Sequence, residues 1–191
     1  MAKEQRIRLM QKNITDAINA LEKGAIILYP SDTVWGLACD ATNDKAVRRL
    51  FELKKRDFDK TILIQIKDVA TIKKYASVPF DTEILTSFDM PTTVIYPYKS
   101  GLSSLLVAKD NTIAARIPND EFTQQLLTKF KKPIASTSAN ISGEPLPNYY
   151  KEISHEILEK VAYIVPMKQE DYMGISSQII RINGAEIIQI R

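Results

Sequence analysis

The chain has 191 residues, with 26 Lys and Arg against 23 Asp and Glu, one His, one Cys and one Trp. That length suits a single domain spanning 1–191, and a chain of this size buries about 70% of its unfolded surface without a disulfide or metal staple. A net charge of +3 does not by itself argue for nucleic acid, one cysteine excludes an internal disulfide, and one histidine excludes a His-rich metal site.

The elements read as follows in chain order. Ile14, Ala17, Ile18 and Leu21 repeat at helical spacing after Asn13, a favourable N-cap, and Gly24 closes the helix. Ala25–Tyr29 is a short buried strand. A polar turn at Thr42-Asn43-Asp44 precedes a helical face of Ala46, Val47, Leu50 and Phe51. Thr61–Ile66 is a strand, and short helices are expected around Val69, Ile72 and Tyr75 and around Ile84, Leu85 and Phe88. Thr92–Tyr96 and Thr112–Ile117 read as strands, Phe122–Lys129 as a helix after Asn119, and Pro133–Ser136 as a strand. Tyr150–Val161 reads as a helix and Tyr163–Val165 as a strand. Ile179–Ile182 and Glu186–Ile190 flank Asn183-Gly184, the pair favoured in a type I′ hairpin turn. Mixed strands and helices with a terminal hairpin predict an α/β domain with a mixed sheet. No run approaches the roughly 20 apolar residues of a membrane span, and Met1–Arg6 has no apolar signal region. The expectation is a cytoplasmic protein without a membrane partner.

The usual nucleotide and metal signatures are missing: there is no P-loop, no G-x-G-x-x-G, no H-E-x-x-H and no C-x-x-C. Four polar constellations interrupt the apolar elements instead. Tyr29-Pro30-Ser31-Asp32-Thr33-Val34-Trp35-Gly36-Leu37 follows the first strand, either as a plain turn or as hydroxyls facing a ligand. Lys54-Lys55-Arg56, with Lys60 beyond, is either a solvated helix end or a cationic clamp for phosphates. In Thr112–Arg116, alternation puts Thr112, Ala114 and Arg116 on one face, so Arg116 requires either a structural or a substrate carboxylate. Ser136-Thr137-Ser138-Ala139-Asn140-Ile141-Ser142-Gly143 is either a turn or a set of donors aimed at an oxygen-rich ligand. His155 reads as a surface residue and Cys39 as a small buried one. The polar stretches 142–148 and 168–177 read as mobile loops.

These four segments, in this order and spacing, resemble the YrdC family, the threonylcarbamoyl-AMP synthases of transfer-RNA modification. The resemblance runs from about residue 13 onward. It implies an open twisted α/β sheet with flanking helices and a concave basic surface. It also implies synthesis of an adenylate from L-threonine, bicarbonate and ATP with release of pyrophosphate, partner proteins then passing the group to transfer RNA. The family's K-x-R and S-x-N signatures fall on Lys54, Arg56, Ser138 and Asn140. Lys54 and Arg56 would be the catalytic cations. Thr33, Arg116, Ser136 and Ser177 would bind threonine. Arg56, Lys60, Thr112, Ser138, Asn140 and Arg191 would bind ATP, with Mg²⁺ accompanying the triphosphate and no metal site of the protein's own. Weak binding of transfer RNA is implied as well. The sequence departs from the family at Ser31, Trp35, Ala38, Thr61, Phe88-Asp89-Met90-Pro91, Leu146 and Gln178, and Gln65 stands where long-form members carry a threonine-contacting His. The alternatives are a non-catalytic RNA-binding module and a paralogue that adenylates or carbamoylates another substrate.

Overall fold

A computed structural model describes residues 2–79, 82, 85, 88–183 and 186–190. Its nine strands form one sheet in the order β7-β1-β2-β6-β3-β5-β4-β8-β9. They are β1 (Ile27–Pro30), β2 (Trp35–Asp40), β3 (Leu63–Gln65), β4 (Thr92–Pro97), β5 (Thr112–Arg116), β6 (Ile134–Ser138), β7 (Tyr163–Ile164), β8 (Gln178–Asn183) and β9 (Glu186–Gln189). The pairs β1/β7, β3/β5 and β4/β8 are parallel and the remaining neighbours antiparallel, so the sheet is mixed as expected.

The helices are α1 (Ala2–Glu22), α2 (Asp44–Leu53), α3 (Val69–Tyr75), α4 (Glu121–Phe130) and α5 (His155–Lys160). Alternation along the central strands distributes side chains to two cores. Trp35, Leu37 and Cys39 of β2 join Leu50 and Phe51 of α2 on one face. Ile27 and Tyr29 of β1, Ala38 of β2 and Ile134 of β6 join Ile14 and Leu21 of α1 and Leu126 of α4 on the other. Strands buried on both faces carry apolar residues at nearly every position.

Three sequence expectations need correction. The first helix does not start at Asn13; it starts eleven residues earlier, and Asn13 lies buried inside it, its Oδ1 accepting from Tyr163 Oη at 3.2 Å. Trp35–Leu37, read only as the end of a polar constellation, opens a fully buried strand, Trp35–Asp40. The helix expected over Tyr150–Val161 is a single 3-10 turn at Tyr150–Glu152 followed by a new start at Ser154. A smaller shift is at α4, where Asp120 rather than Asn119 is the cap and accepts from Thr123 N at 2.8 Å. Ile84, Gly184 and Arg191 lie outside the described residues, so the second short helix and the tip of the terminal hairpin are not described further. No helix among the described residues is long and apolar enough to cross a membrane.

Candidate active site

Two residues past the positions that α1 and α4 cover, the same sheet face opens into a cleft of about 210 Å³. Ala38 and Ile134 lie under the helices; Gly36 of β2 and Ser136 and Ser138 of β6 emerge beside them. The β1–β2 loop adds Thr33, β5 adds Arg116, and Ser177 enters just before β8. Segment 173–177 lies across this end. Gly174 bridges Val34, and Met173 N donates to Asn148 O at 2.7 Å.

Arg116 is 3% exposed and ion-paired to Asp32, and its Nη2 donates to Thr33 Oγ1 at 3.4 Å. Asp32 in turn accepts from Asn119 N at 2.9 Å. Arg116 thus has a structural carboxylate, and it also lines the cleft. Its Nε has no partner among the described residues. A guanidinium carries five N–H donors, so spare donors remain for a ligand carboxylate. Ser177 Oγ lies 2.9 Å from Thr93 Oγ1, a cleft residue that sequence reasoning missed because it sits in an apolar-looking strand.

Of the K-x-R and S-x-N residues, Lys54 meets Ser138 and Asn140, and Arg56 lines the same cleft as Ser138. Lys54 is 1% exposed. Its Nζ donates to Asn140 O at 2.6 Å, Ser138 O at 2.7 Å, Asn140 Oδ1 at 2.9 Å and Ser138 Oγ at 3.4 Å. Three hydrogens thus serve four protein acceptors, leaving none for a phosphate. Lys54 lies behind the cleft and organises its wall. Lys54 is the C-cap of α2, and the chain leaves it through Lys55, whose φ is 49°. Asn140 is half-buried, accepting from Ser138 Oγ at 2.6 Å and donating from Nδ2 to Glu144 O at 2.7 Å.

Arg56 does reach the cleft. Its Nε and Nη2 donate to Lys60 O at 2.9 Å and Thr61 O at 2.8 Å, which orients the fork with donors to spare. Lys60 contributes that carbonyl; its exposed ammonium lies 3.3 Å from Asp57 and does not line the cleft. Thr112 is also outside it, with Oγ1 donating to Asp110 at 2.6 Å beside the Arg181–Asp110 ion pair. Arg191 lies outside the described residues. His155 is exposed and Cys39 buried, as expected.

Beneath Ser136 lies a layer that sequence reasoning left unassigned. Tyr29 Oη is 2.9 Å from Gln65 Oε1 and 2.6 Å from Ser136 Oγ, and all three side chains are buried. The signal was present as a glutamine in the otherwise apolar run Leu63-Ile64-Gln65-Ile66. A larger cavity of about 540 Å³ opens on the opposite face against Val94, Tyr96, Ala115 and Ile117. Its lining holds Asp32 and Asp89 but no Lys or Arg, which suits a triphosphate poorly.

Residues 19–191 match the Sua5/yciO/yrdC family, described as "Telomere recombination". The chain belongs to this family. A Methanocaldococcus jannaschii relative is 37% identical over 170 residues, 88% of this chain and 79% of its own. A Vibrio cholerae protein named threonylcarbamoyl-AMP synthase is 31% identical over 184 residues, 94% of this chain and 96% of its own. Among solved structures, Pyrococcus abyssi Sua5 complexed with L-threonine superimposes with a TM-score of 0.81 at 25% identity, over 95% of this chain. The chain spans about half of that protein, 54% of its length. E. coli YciO shares the fold, with a TM-score of 0.80 at 23% identity over 95% of this chain and 89% of its own.

Proposed function

We propose that this family member is a transferase of the nucleotidyl-transferring kind, a threonylcarbamoyl-AMP synthase acting as one domain over 1–191 with L-threonine, bicarbonate and ATP as substrates. The observation that carries the reading is the cleft itself. A buried arginine with unused donors and three hydroxyls stand at one end, and an oriented arginine beside Ser138 stands at the other. Two anions can be held there side by side.

In the proposed reaction the threonine amine adds to carbon dioxide derived from bicarbonate and becomes a carbamate. A carbamate oxygen attacks the α-phosphorus of ATP, the bond to the bridging oxygen breaks, and pyrophosphate leaves with that electron pair. Positioning and charge neutralisation suffice for such a transfer, so no nucleophilic side chain is required. Arg116 would hold the amino-acid carboxylate, with Thr33, Ser136 and Ser177 framing the rest. Arg56 would meet the triphosphate, and Ser138 would lie beside it. Lys54 and Asn140 would act from behind by fixing Ser138. Thr112 and Lys60 are proposed at the outer rim of the ATP site, and Arg191 as a further ATP-binding residue. No group of three or more His, Cys, Asp or Glu side chains fit to hold a metal ion occurs among the described residues. Magnesium would arrive on the triphosphate as part of the substrate. The adenylate would pass to partner proteins that modify transfer RNA.

Pyrophosphate release tests the proposal. It should require threonine and bicarbonate together with ATP. Release that persists without either would assign the cleft to another acceptor.

A further inference from the structure

Hydrogen-bond arithmetic beneath the cleft assigns a direction to Ser136. Gln65 Oε1 is a carbonyl oxygen and only accepts, so the 2.9 Å contact takes the one hydrogen of Tyr29 Oη. The 2.6 Å contact between Tyr29 Oη and Ser136 Oγ then has one possible donor, the serine hydroxyl. Burial pushes the Tyr29 phenol well above its ordinary range, so it stays protonated and keeps its donor role. The Ser136 hydroxyl has no other hydrogen bond among the described residues, and the residue lines the cleft. Its hydrogen points down to Tyr29 and its lone pairs point into the cleft.

We infer that Gln65 and Tyr29 are positioning residues that fix Ser136 as a hydrogen-bond acceptor, making this corner of the cleft a reader of the substrate's amino group. The inference rests on the threonine reading above. An ammonium, an amine and a carbamate N–H are all donors, so one acceptor serves the nitrogen throughout the reaction. The carboxylate cannot bind there, because lone pairs would face it; it is left to Arg116, whose Cα is paired with that of Gln65 on the neighbouring strand.

The test is calorimetric binding of L-threonine to the full chain and to Gln65→Met, Ser136→Ala and the double variant. Methionine matches the shape of glutamine but frees the Tyr29 hydrogen to turn toward Ser136, which then presents a donor to the cleft. Gln65→Met should weaken threonine binding about tenfold, in keeping with the loss of a hydrogen bond to a charged group, and leave ATP binding within about twofold. In the Ser136→Ala background the same change should add less than about twofold, because its effect passes through the serine. A second probe is 2,3-dihydroxybutanoate, in which a hydroxyl able to accept replaces the ammonium. The wild type should favour threonine over it, and Gln65→Met should narrow that preference. Tyr29→Phe, which keeps the ring, should act in the same direction if the methionine variant folds poorly. An unchanged preference, or an equal loss with and without Ser136, overturns the inference. A wild type that binds no threonine overturns the underlying reading instead.

Discussion

Lys54 and Arg56 stand two residues apart, yet burial gives them different work. Burial pushes the Lys54 ammonium down to about 7 from an ordinary 10.5, and the charge of Arg56 pushes the same way. Below about pH 7 both folded and unfolded chains hold this proton, and its full cost weighs on the fold. Between about 7 and 10.5 the unfolded chain binds more protons than the folded one, so stability rises with pH. Lys54→Met should abolish that rise. It should also lower stability at neutral pH, because each buried acceptor left without a donor costs about 1–3 kcal/mol, and weaken ATP binding by loosening Ser138. Urea denaturation across that pH range reads both effects; an unaltered slope would place the titration on another group. Asp32 gives a second prediction. It is the buried partner of Arg116, and breaking such a pair costs about 3–5 kcal/mol. Asp32→Asn should melt earlier, and L-threonine should raise its melting temperature more than it raises that of the wild type, since the ligand carboxylate replaces the missing anion. Equal ligand shifts would mean that the carboxylate binds away from Arg116. The arginine itself was legible in the sequence as a cation in an apolar strand. Its carboxylate partner was not, because Asp32 lies 84 residues away and only the fold brings the two together.

Elements were legible where their apolar period was clear and missed where it was not. The stripe Ile14, Ala17 and Leu21 announced α1, but its first turns are Lys, Glu, Gln and Arg, good helix formers without a sustained apolar face. Propensity extends this helix where the pattern gave no sign of it. The break before α5 follows from Ser154, a residue that competes with a helical backbone and favours caps. Strand β2 escaped because Trp35-Gly36-Leu37-Ala38-Cys39-Asp40 mixes large and small residues, being buried on both faces rather than alternating with polar ones. Its glycine has a specific reason. Gly36 is the cross-strand partner of Tyr29, and a Cβ at that position would lie 2.8 Å from Tyr29 Cε1. The tyrosine ring is fully buried and has nowhere to retreat. Gly36→Ala should therefore cost about 1–3 kcal/mol by overpacking. Because that ring carries the hydroxyl that holds Ser136, threonine binding should weaken as well. Thermal melts and calorimetry on one preparation check both; a variant that loses stability with full threonine affinity would separate the strand pair from the site.

At the scale of the whole molecule, the excess charge sits where the fold needs it least. Residues 3–9 of α1 are all exposed, and they carry Lys3, Arg6 and Arg8 against Glu4. They also lie ahead of the family match, which starts at residue 19. The buried side of the helix begins at Met10 and continues through Ile14, Ala17 and Leu21. Charge and core are thus separated along one helix, and truncation can test them independently. Deleting residues 2–9 removes three cations and one anion and takes the net charge from +3 to +1. Residues 3–9 hold no buried side chain, so stability should fall by less than about 1 kcal/mol, as surface changes do. By contrast Ile14→Ala, at a fully buried position, should cost about 2–5 kcal/mol. None of residues 3–9 lines the cleft, so the truncated chain should keep its pyrophosphate-release kinetics. Binding to a polyanion should weaken, with a shallower dependence on salt, because fewer cations displace counterions. Retention of transfer RNA at several salt concentrations measures that slope. An unchanged slope would locate the RNA contact on the body of the molecule, and slowed catalysis after truncation would show that the overhang reaches the cleft.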